Sequence, residues 1–136
     1  MKKVLVLCTG NSCRSIMAEA LINQLAGGAY QAQSAGSRPA GYVHPLAIET
    51  LKHHGVEVDA ARSKSWDELA TQPFDTVITV CDQAANESCP IFPGKPHKLH
   101  WSIPDPAKAS GSDEEITRAF NNAYQLLKSR IEKELL

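Results

Sequence analysis

The sequence predicts an α/β fold in which a small, four-stranded parallel sheet carries helices on both faces. Short apolar runs of strand length alternate along the chain with longer stretches whose apolar residues recur at helical spacing. This alternation is typical of β-α-β units, in which successive strands are parallel and the connecting helices cover the sheet. The chain has 136 residues, a common size for one domain, and we predict a single domain over 1–136.

The first half of the chain supplies two of the strands and two helices. The apolar run from Val4 to Leu7 predicts a buried strand over 3–7, and a second strand is predicted over 30–34. The helix between them is expected to end at the glycine pair 27–28. A second helix should begin at Pro45, because proline suits the first helical turn, and should end at Gly55.

The second half begins with a short helix, predicted over 66–70. The run "FDTVITVC" predicts a buried strand over 74–81, and a weaker strand is predicted over 97–101. The last element is a long helix. Ser112 and Glu115 have the spacing of a capping box, and apolar residues at helical spacing follow them.

Composition and charge narrow the classes of function. Lysine and arginine (14) nearly balance aspartate and glutamate (15), so nothing indicates a nucleic acid or a membrane as a partner. Neither a signal peptide nor an apolar run of the roughly 18 residues that a membrane span needs is found. We therefore predict a cytoplasmic monomer. In that reducing compartment, the four cysteines indicate thiol chemistry or metal binding rather than static disulfides.

Candidate functional residues lie where three of the predicted strands end. Cys8 follows the first strand, Ser34 ends the second and Cys81 ends the third. Ligands of parallel α/β sheets bind beyond the carboxyl ends of the strands. The sequence therefore predicts one site that these three residues share.

The segment after the first strand predicts a loop that binds a tetrahedral oxyanion such as phosphate or sulfate. Its small residues leave backbone N–H groups able to turn inward, where they add to the positive end of the following helix. Arg14 offers a planar fork of donors for two oxygens of such an anion. The predicted loop consists of Thr9, Gly10, Asn11, Ser12, Cys13, Arg14 and Ser15.

Cys8 is the predicted nucleophile of this loop. A thiol beside a helix N-terminus and an arginine has a lowered pKa, which favours the thiolate near neutral pH. Ser15 can donate a hydrogen bond to that sulfur, and Asn11 can fix the shape of the loop. The alternative is that Cys8 merely ends a buried strand and Arg14 is a surface charge. The glycine-lysine pair of a Walker loop is absent.

Several motifs together resemble a known family. "CTGNSCRS", "MAEA", "SAG" and the later "DP" resemble the low-molecular-weight protein tyrosine phosphatases, and more closely the thioredoxin-coupled arsenate reductases built on that fold. The similarity runs through "VCDQAANESCPIFPG" and "HWSIPDPAKA". It implies that Asp105 is the general acid, although an Asp-Pro pair by itself indicates only a turn. Ala107 and Lys108 follow where the phosphatases carry aromatic residues, which disfavours a pocket for a phenyl ring.

The resemblance to the reductases implies a relay of three cysteines. Cys8 attacks arsenate, Cys81 then attacks the Cys8 sulfur as arsenite leaves, and Cys89 finally attacks Cys81. The resulting disulfide is reduced by thioredoxin, or by glutaredoxin with glutathione. Because Cys81 must meet two partners in turn, the segment from Cys81 to about Pro93 is expected to move.

Other readings of the cysteines stay open at this stage. The chain could be a phosphatase for phosphotyrosine or small phosphomonoesters, with Cys81 and Cys89 as redox protection only. It could also be an oxyanion-binding regulator without enzymatic activity. A zinc site built from Cys81, Cys89, His97 and His100 does not have the usual spacing of paired ligands.

The resemblance also implies residues that support the loop. Some related reductases bind potassium through an asparagine, a glutamate, a serine and an aspartate, and Asn11, Glu19 and Ser34 match the first three. No aspartate stands at the fourth position, near Lys64. We predict that the Lys64 ammonium replaces the ion and pairs with Glu19 to hold Asn11 and the loop, and that no metal or resident cofactor is bound. Cys13 is interpreted as a packing residue that is open to oxidation.

Overall fold

The described part of the chain forms one parallel sheet of four strands. The computed structural model describes residues 2–58, 62–80 and 96–135. The spatial order of the strands is β2-β1-β3-β4, and all pairs are parallel. The predicted α/β class with a four-stranded parallel sheet is confirmed. The strands are β1 (Lys2–Leu7), β2 (Tyr30–Ala35), β3 (Thr76–Thr79) and β4 (His97–His100).

Three α-helices and two short 3₁₀ helices accompany these strands among the described residues. The α-helices are α1 (Arg14–Leu25), α2 (Pro45–His53) and α3 (Asp113–Glu134), and the 3₁₀ helices are η1 (Trp66–Leu69) and η2 (Pro106–Lys108). Pro45 begins α2 and Gly55, at φ +75°, lies just beyond its end, as predicted. The Ser112 hydroxyl accepts the Glu115 N–H at 3.2 Å, so the predicted cap of α3 is present. In these residues no helix has the length and apolarity needed to cross a membrane.

The strand alternation divides the core into two layers. Val4 and Val6 of β1 pack with the three α-helices on one face, whereas Leu5 and Leu7 pack with η1 on the other. Helix α1 is buried over most of its length, including the polar side chains of Ser15 and Glu19. A buried polar side chain needs hydrogen-bond partners, so these two residues indicate a structured polar site.

The strand register brings the predicted site residues to one edge. Leu7, the last residue of β1, is opposite Ala35 of β2 and Thr79 of β3. Strand β3 is shorter than the predicted 74–81: it ends at Thr79, and Cys81 lies outside the described residues. Cys89 also lies outside them. The single domain over 1–136 and the monomeric state stay predictions.

Candidate active site

Cys8 lies directly after β1, one of the two inner strands of the described sheet. Its N–H donates to the Ala35 carbonyl at 3.2 Å, which continues the pairing of β1 with β2, and its side chain is buried. On the other side, the N–H of Val80, the last described residue before position 96, donates to the Leu7 carbonyl at 3.0 Å. The thiol is therefore held at the carboxyl edge by strands on both sides.

In the loop after Cys8, backbone carbonyl groups point outwards and backbone N–H groups point inwards. Three carbonyl oxygens accept N–H groups of the segment 38–44: Thr9 from Arg38 (3.0 Å), Gly10 from Ala40 (2.9 Å) and Ser12 from His44 (2.8 Å). None of the described peptide bonds is cis, and in a trans peptide the N–H points opposite to the carbonyl. The amides that follow these carbonyls are thus directed to the inside of the loop. Together with the N-terminus of α1 they form a concave set of donors for an anion.

Asn11 determines the curvature of the loop. Its φ of +44° lies in the left-handed region, which asparagine tolerates better than most residues. Its side chain is fully buried and bonded at both ends: Nδ2 donates to Ser15 Oγ at 2.8 Å, and Oδ1 accepts the Lys64 N–H at 2.8 Å. Because the Ser15 oxygen accepts this amide hydrogen, the hydroxyl hydrogen of Ser15 is left to point elsewhere.

Gly36 is a further loop-supporting residue, which the sequence analysis did not single out. A Cβ at this position would collide with the carbonyl oxygens of both Cys8 and Thr9. The glycine of the "SAG" motif is therefore required by the close approach of two backbone segments. Its N–H donates to the Lys64 carbonyl at 3.0 Å, so the same residue also joins the loop to the segment that carries Lys64.

The two terminal nitrogens of the Arg14 guanidinium have partners in the protein, whereas its Nε has none in the part of the chain that the structure describes. Nη1 donates to the Ile103 carbonyl at 2.9 Å, and Nη2 lies 3.5 Å from Asp105 Oδ2. Its Nε is buried and, among the described residues, one of two buried side-chain nitrogens without a hydrogen-bond partner. An unpaired buried donor is costly, and an oxyanion in the loop would satisfy it.

Asp105 reaches the loop from a distant part of the chain. Its Oδ1 caps η2 by accepting the Ala107 N–H at 3.0 Å, so the Asp-Pro pair does form a local turn. The same carboxyl group lies beside Arg14, and its side chain is 21% exposed. The turn and the position at the site are therefore not alternatives, because the turn is what presents the carboxylate to the loop.

Cys13 also contacts Asp105, which the sequence analysis did not anticipate. Its Sγ lies 3.6 Å from Asp105 Oδ1, in donor geometry. Burial raises the pKa of the Cys13 thiol to about 11, and the negative charge of Asp105 acts in the same direction. At neutral pH this cysteine is a thiol. No local sequence signal could have revealed the contact, because the two residues are 92 positions apart.

Glu19, Ser34 and Lys64 form a buried polar cluster behind the loop. The Ser34 hydroxyl donates to Glu19 Oε1 at 2.9 Å, and the Lys64 ammonium lies 3.8 Å from the same oxygen. Burial raises the pKa of Glu19, which the charge of Lys64 opposes, and burial lowers the pKa of Lys64, which the charge of Glu19 opposes. Lys64 reaches Asn11 through its backbone N–H, not through its ammonium.

These contacts do not suit a potassium ion. The Asn11 carbonyl oxygen, a ligand in the predicted set, already accepts an N–H, and the Glu19 carboxylate already faces an ammonium. A cation placed between them would meet the positive charge of Lys64. The zinc alternative has two of its residues, His97 and His100, on the edge strand β4, and the other two, Cys81 and Cys89, lie outside the described residues.

The fold and the loop together define a class: α/β proteins with a cysteine-and-arginine loop at the carboxyl end of a parallel sheet. Residues 3–135 match the family model of the low molecular weight phosphotyrosine protein phosphatases. The chain belongs to this family, which confirms the resemblance that its motifs carry.

Similar proteins cover almost the whole chain. The arsenate reductase of Halalkalibacterium halodurans is 38% identical over 130 residues, 96% of this chain and 92% of that protein. A solved arsenate reductase in the phosphate-binding state has a TM-score of 0.75 at 26% identity and covers 98% of this chain and 95% of the other. The thioredoxin-dependent arsenate reductase of Corynebacterium glutamicum has a TM-score of 0.67 at 31% identity and covers 98% of this chain and 63% of the other. The prediction that this chain is an enzyme is confirmed.

Proposed function

We propose that this chain is an arsenate reductase that converts arsenate to arsenite through Cys8, Cys81 and Cys89, with thioredoxin as the final reductant. The observation that carries the proposal is the buried, unpartnered Nε of Arg14 beside the loop that follows Cys8. It supplies a fixed donor for a tetrahedral oxyanion next to a thiol. Relatives named arsenate reductase, 38% identical in one case, support arsenate as that oxyanion.

The first step joins arsenate to Cys8. The inward N–H groups of the loop and the Arg14 guanidinium hold the arsenate oxygens, and the Cys8 thiolate attacks the arsenic. A sulfur–arsenic bond forms while an arsenic–oxygen bond breaks. Asp105 gives a proton to the departing oxygen, which leaves as water. Arg14 serves both partners of this step, since its Nη2 lies 3.5 Å from Asp105 Oδ2.

The second step transfers two electrons to arsenic, and the third step moves the resulting disulfide onto Cys81 and Cys89. The Cys81 thiolate attacks the Cys8 sulfur, a disulfide forms, and the electron pair of the broken sulfur–arsenic bond stays on arsenic, which leaves as arsenite. Cys89 then attacks Cys81 and releases the Cys8 thiolate. Thiol–disulfide exchange with the dithiol of thioredoxin restores the starting state. Because Cys81 and Cys89 lie outside the described residues, these steps rest on the sequence and the relatives.

A phosphatase activity is the second candidate, and the family membership favours it. Cys8, the loop, Arg14 and Asp105 are sufficient for phosphomonoester hydrolysis: Cys8 displaces the alcohol, to which Asp105 gives its proton, and water, which returns a proton to Asp105, then breaks the sulfur–phosphorus bond and releases phosphate. The residues after the Asp-Pro pair do not favour a phenyl ring: Ala107 and Lys108 are exposed and neither is aromatic. We therefore expect phosphatase turnover to be weak.

Serine substitutions at the two downstream cysteines test the relay. With arsenate, thioredoxin and thioredoxin reductase, Cys81→Ser should produce no arsenite, whereas Cys89→Ser should release one equivalent and then stop at the Cys8–Cys81 disulfide. Both variants should keep any phosphatase activity of the parent, because the loop and Asp105 are unchanged. Multiple turnover by Cys81→Ser would overturn the reductase proposal. Replacing thioredoxin by glutaredoxin and glutathione in the same assay identifies the reductant.

A further inference from the structure

The two oxygens of the Asp105 carboxyl group have different surroundings. Oδ1 lies within hydrogen-bond distance of two donors, the Ala107 N–H at 3.0 Å and the Cys13 thiol at 3.6 Å. Oδ2 faces the guanidinium of Arg14, whose Nη2 is 3.5 Å away. Since Arg14 is the residue proposed to hold the oxyanion, Oδ2 is the oxygen on the substrate side.

Cys13 is suited to donate rather than to accept at this position. Its side chain is only 5% exposed, and burial keeps the pKa of its thiol at about 11, so the S–H is intact at neutral pH. The residue is the N-cap of α1 but makes no capping hydrogen bond with its side chain. The thiol hydrogen is therefore not diverted to the helix.

We infer that Cys13 is a positioning residue for Asp105: its S–H and the Ala107 N–H together hold Oδ1 as an acceptor, so that the transferable proton resides on Oδ2. This inference rests on the proposed role of Asp105 as the general acid. In that step the O–H bond at Oδ2 breaks, the leaving oxygen gains the proton, and it keeps the electron pair of its broken bond to arsenic or phosphorus. Without the Cys13 S–H, Oδ1 keeps only the hydrogen bond from the Ala107 N–H. The carboxyl group can then rotate so that its two oxygens exchange places.

Among the residues that the structure describes, few charged or titratable groups lie near the carboxyl group of Asp105. Two titratable groups contact its side chain, the Arg14 guanidinium at Oδ2 and the Cys13 thiol at Oδ1. From the long helix α3, the residues that line the cavity beside Asp105 are uncharged: Ala119, Asn122, Ala123, Gln125 and Leu126. No charge from that helix therefore competes with the thiol for Oδ1.

Infrared spectroscopy tests the hydrogen bond without any reaction. In the variant C8S/C81S/C89S the only thiol is that of Cys13, and its S–H stretching band is read directly. Adding Asp105→Ala should move the band to higher frequency, because a hydrogen-bonded S–H vibrates more slowly than a free one. Asp67→Ala, which removes an exposed carboxylate elsewhere, should leave it in place. If the frequency of the S–H band does not change with Asp105→Ala, the inference is overturned. This measurement stays valid even if the arsenate reductase proposal fails.

Leaving-group dependence tests the consequence for proton transfer. For an aryl phosphate with a poorly acidic phenol, Cys13→Val should lower kcat about three- to tenfold at unchanged KM, the effect of one hydrogen bond. For a nitro-substituted phenol, which leaves without a proton, the loss should be less than about twofold. Cys13→Ser, which restores a donor, should regain most of the rate. An equal loss with both phenols, or a serine variant as slow as the valine variant, would mean that Cys13 only packs.

Discussion

Lys64 donates its backbone N–H to the side-chain oxygen of Asn11 at 2.8 Å, while its ammonium lies 3.8 Å from Glu19. One residue thus contacts the loop through its backbone and the buried carboxylate behind it through its side chain. The positive charge that faces Glu19 in this cluster therefore comes from the chain itself.

The ammonium of Lys64 should make the activity independent of potassium. We expect kcat/KM for arsenate to be equal in potassium and sodium chloride at matched ionic strength. Lys64→Met keeps the length of the side chain but leaves the Glu19 carboxylate without its cationic partner, which should cost about 3 kcal/mol of unfolding free energy. Urea titrations measure this loss. A strong, potassium-specific rise in kcat/KM of the parent protein would contradict the role assigned to Lys64.

Asn11 combines two hydrogen bonds with a left-handed backbone, and two substitutions separate these contributions. Asn11→Gly removes the side-chain bonds but permits the φ of +44°, whereas Asn11→Ala removes the bonds and adds strain. Both should reduce kcat/KM by at least about tenfold, the alanine variant more. The alanine variant should also be less stable than the glycine variant by about 1 kcal/mol in urea unfolding. Equal stability would mean that the loop relaxes its backbone when Asn11 is lost.

Gly36 should not tolerate a methyl group. Gly36→Ala places a Cβ against the carbonyl oxygens of Cys8 and Thr9, so the loop must shift away from the sheet. We expect a loss of about 1–3 kcal/mol in unfolding free energy and a large fall in kcat/KM. Gly28→Ala is the matched control, because a Cβ there meets no atom within 4 Å. Calorimetric or urea unfolding of the two variants, with the same arsenate assay, makes the comparison; an unaffected Gly36→Ala enzyme would argue against the close approach.

Arg14 should be irreplaceable by lysine in spite of the conserved charge. Lysine cannot bond the Ile103 carbonyl, face Asp105 and supply a third donor to an anion at the same time. Arg14→Lys should lower kcat/KM for arsenate at least about 100-fold. It should also weaken the binding of phosphate and sulfate, measured by titration calorimetry. Arg62→Lys, at an exposed ion pair with Glu68, should leave both measurements unchanged.

The buried thiol of Cys13 predicts a pH dependence of stability. The folded-state pKa of about 11 is raised above the ordinary value of 9.0. The contribution of the protonated thiol to the unfolding free energy is therefore complete below pH 9. It is lost as the pH rises towards 11, because the unfolded chain releases the thiol proton first. Across that interval the wild type should lose about 2 kcal/mol more unfolding free energy than Cys13→Val. Urea titrations under reducing conditions at several pH values between these limits measure the difference, and parallel curves for the two proteins would show that the thiol ionises in the folded state as it does in water.

Much of the fold could be predicted because its signals are local. Apolar runs and helical spacing depend on neighbouring residues only, and they located the described strands and helices to within a few residues. The largest difference is at β3, which covers Thr76–Thr79 rather than the predicted 74–81. Gly36 was missed because a glycine that is required by another segment looks like any glycine in a loop.

The sequence by itself determined that Cys8 and Arg14 share one loop after the first strand, because six positions separate them and the turn between them is built of small residues. Only the tertiary structure decided what surrounds them. Asp105 and Ile103, about 90 positions away in the sequence, contact and orient the Arg14 guanidinium. Lys64, 53 positions from Asn11, bonds to the Asn11 side chain. These contacts depend on how parallel strands align at one edge of the sheet, and such long-range alignment is a property of the packed chain rather than of any local pattern.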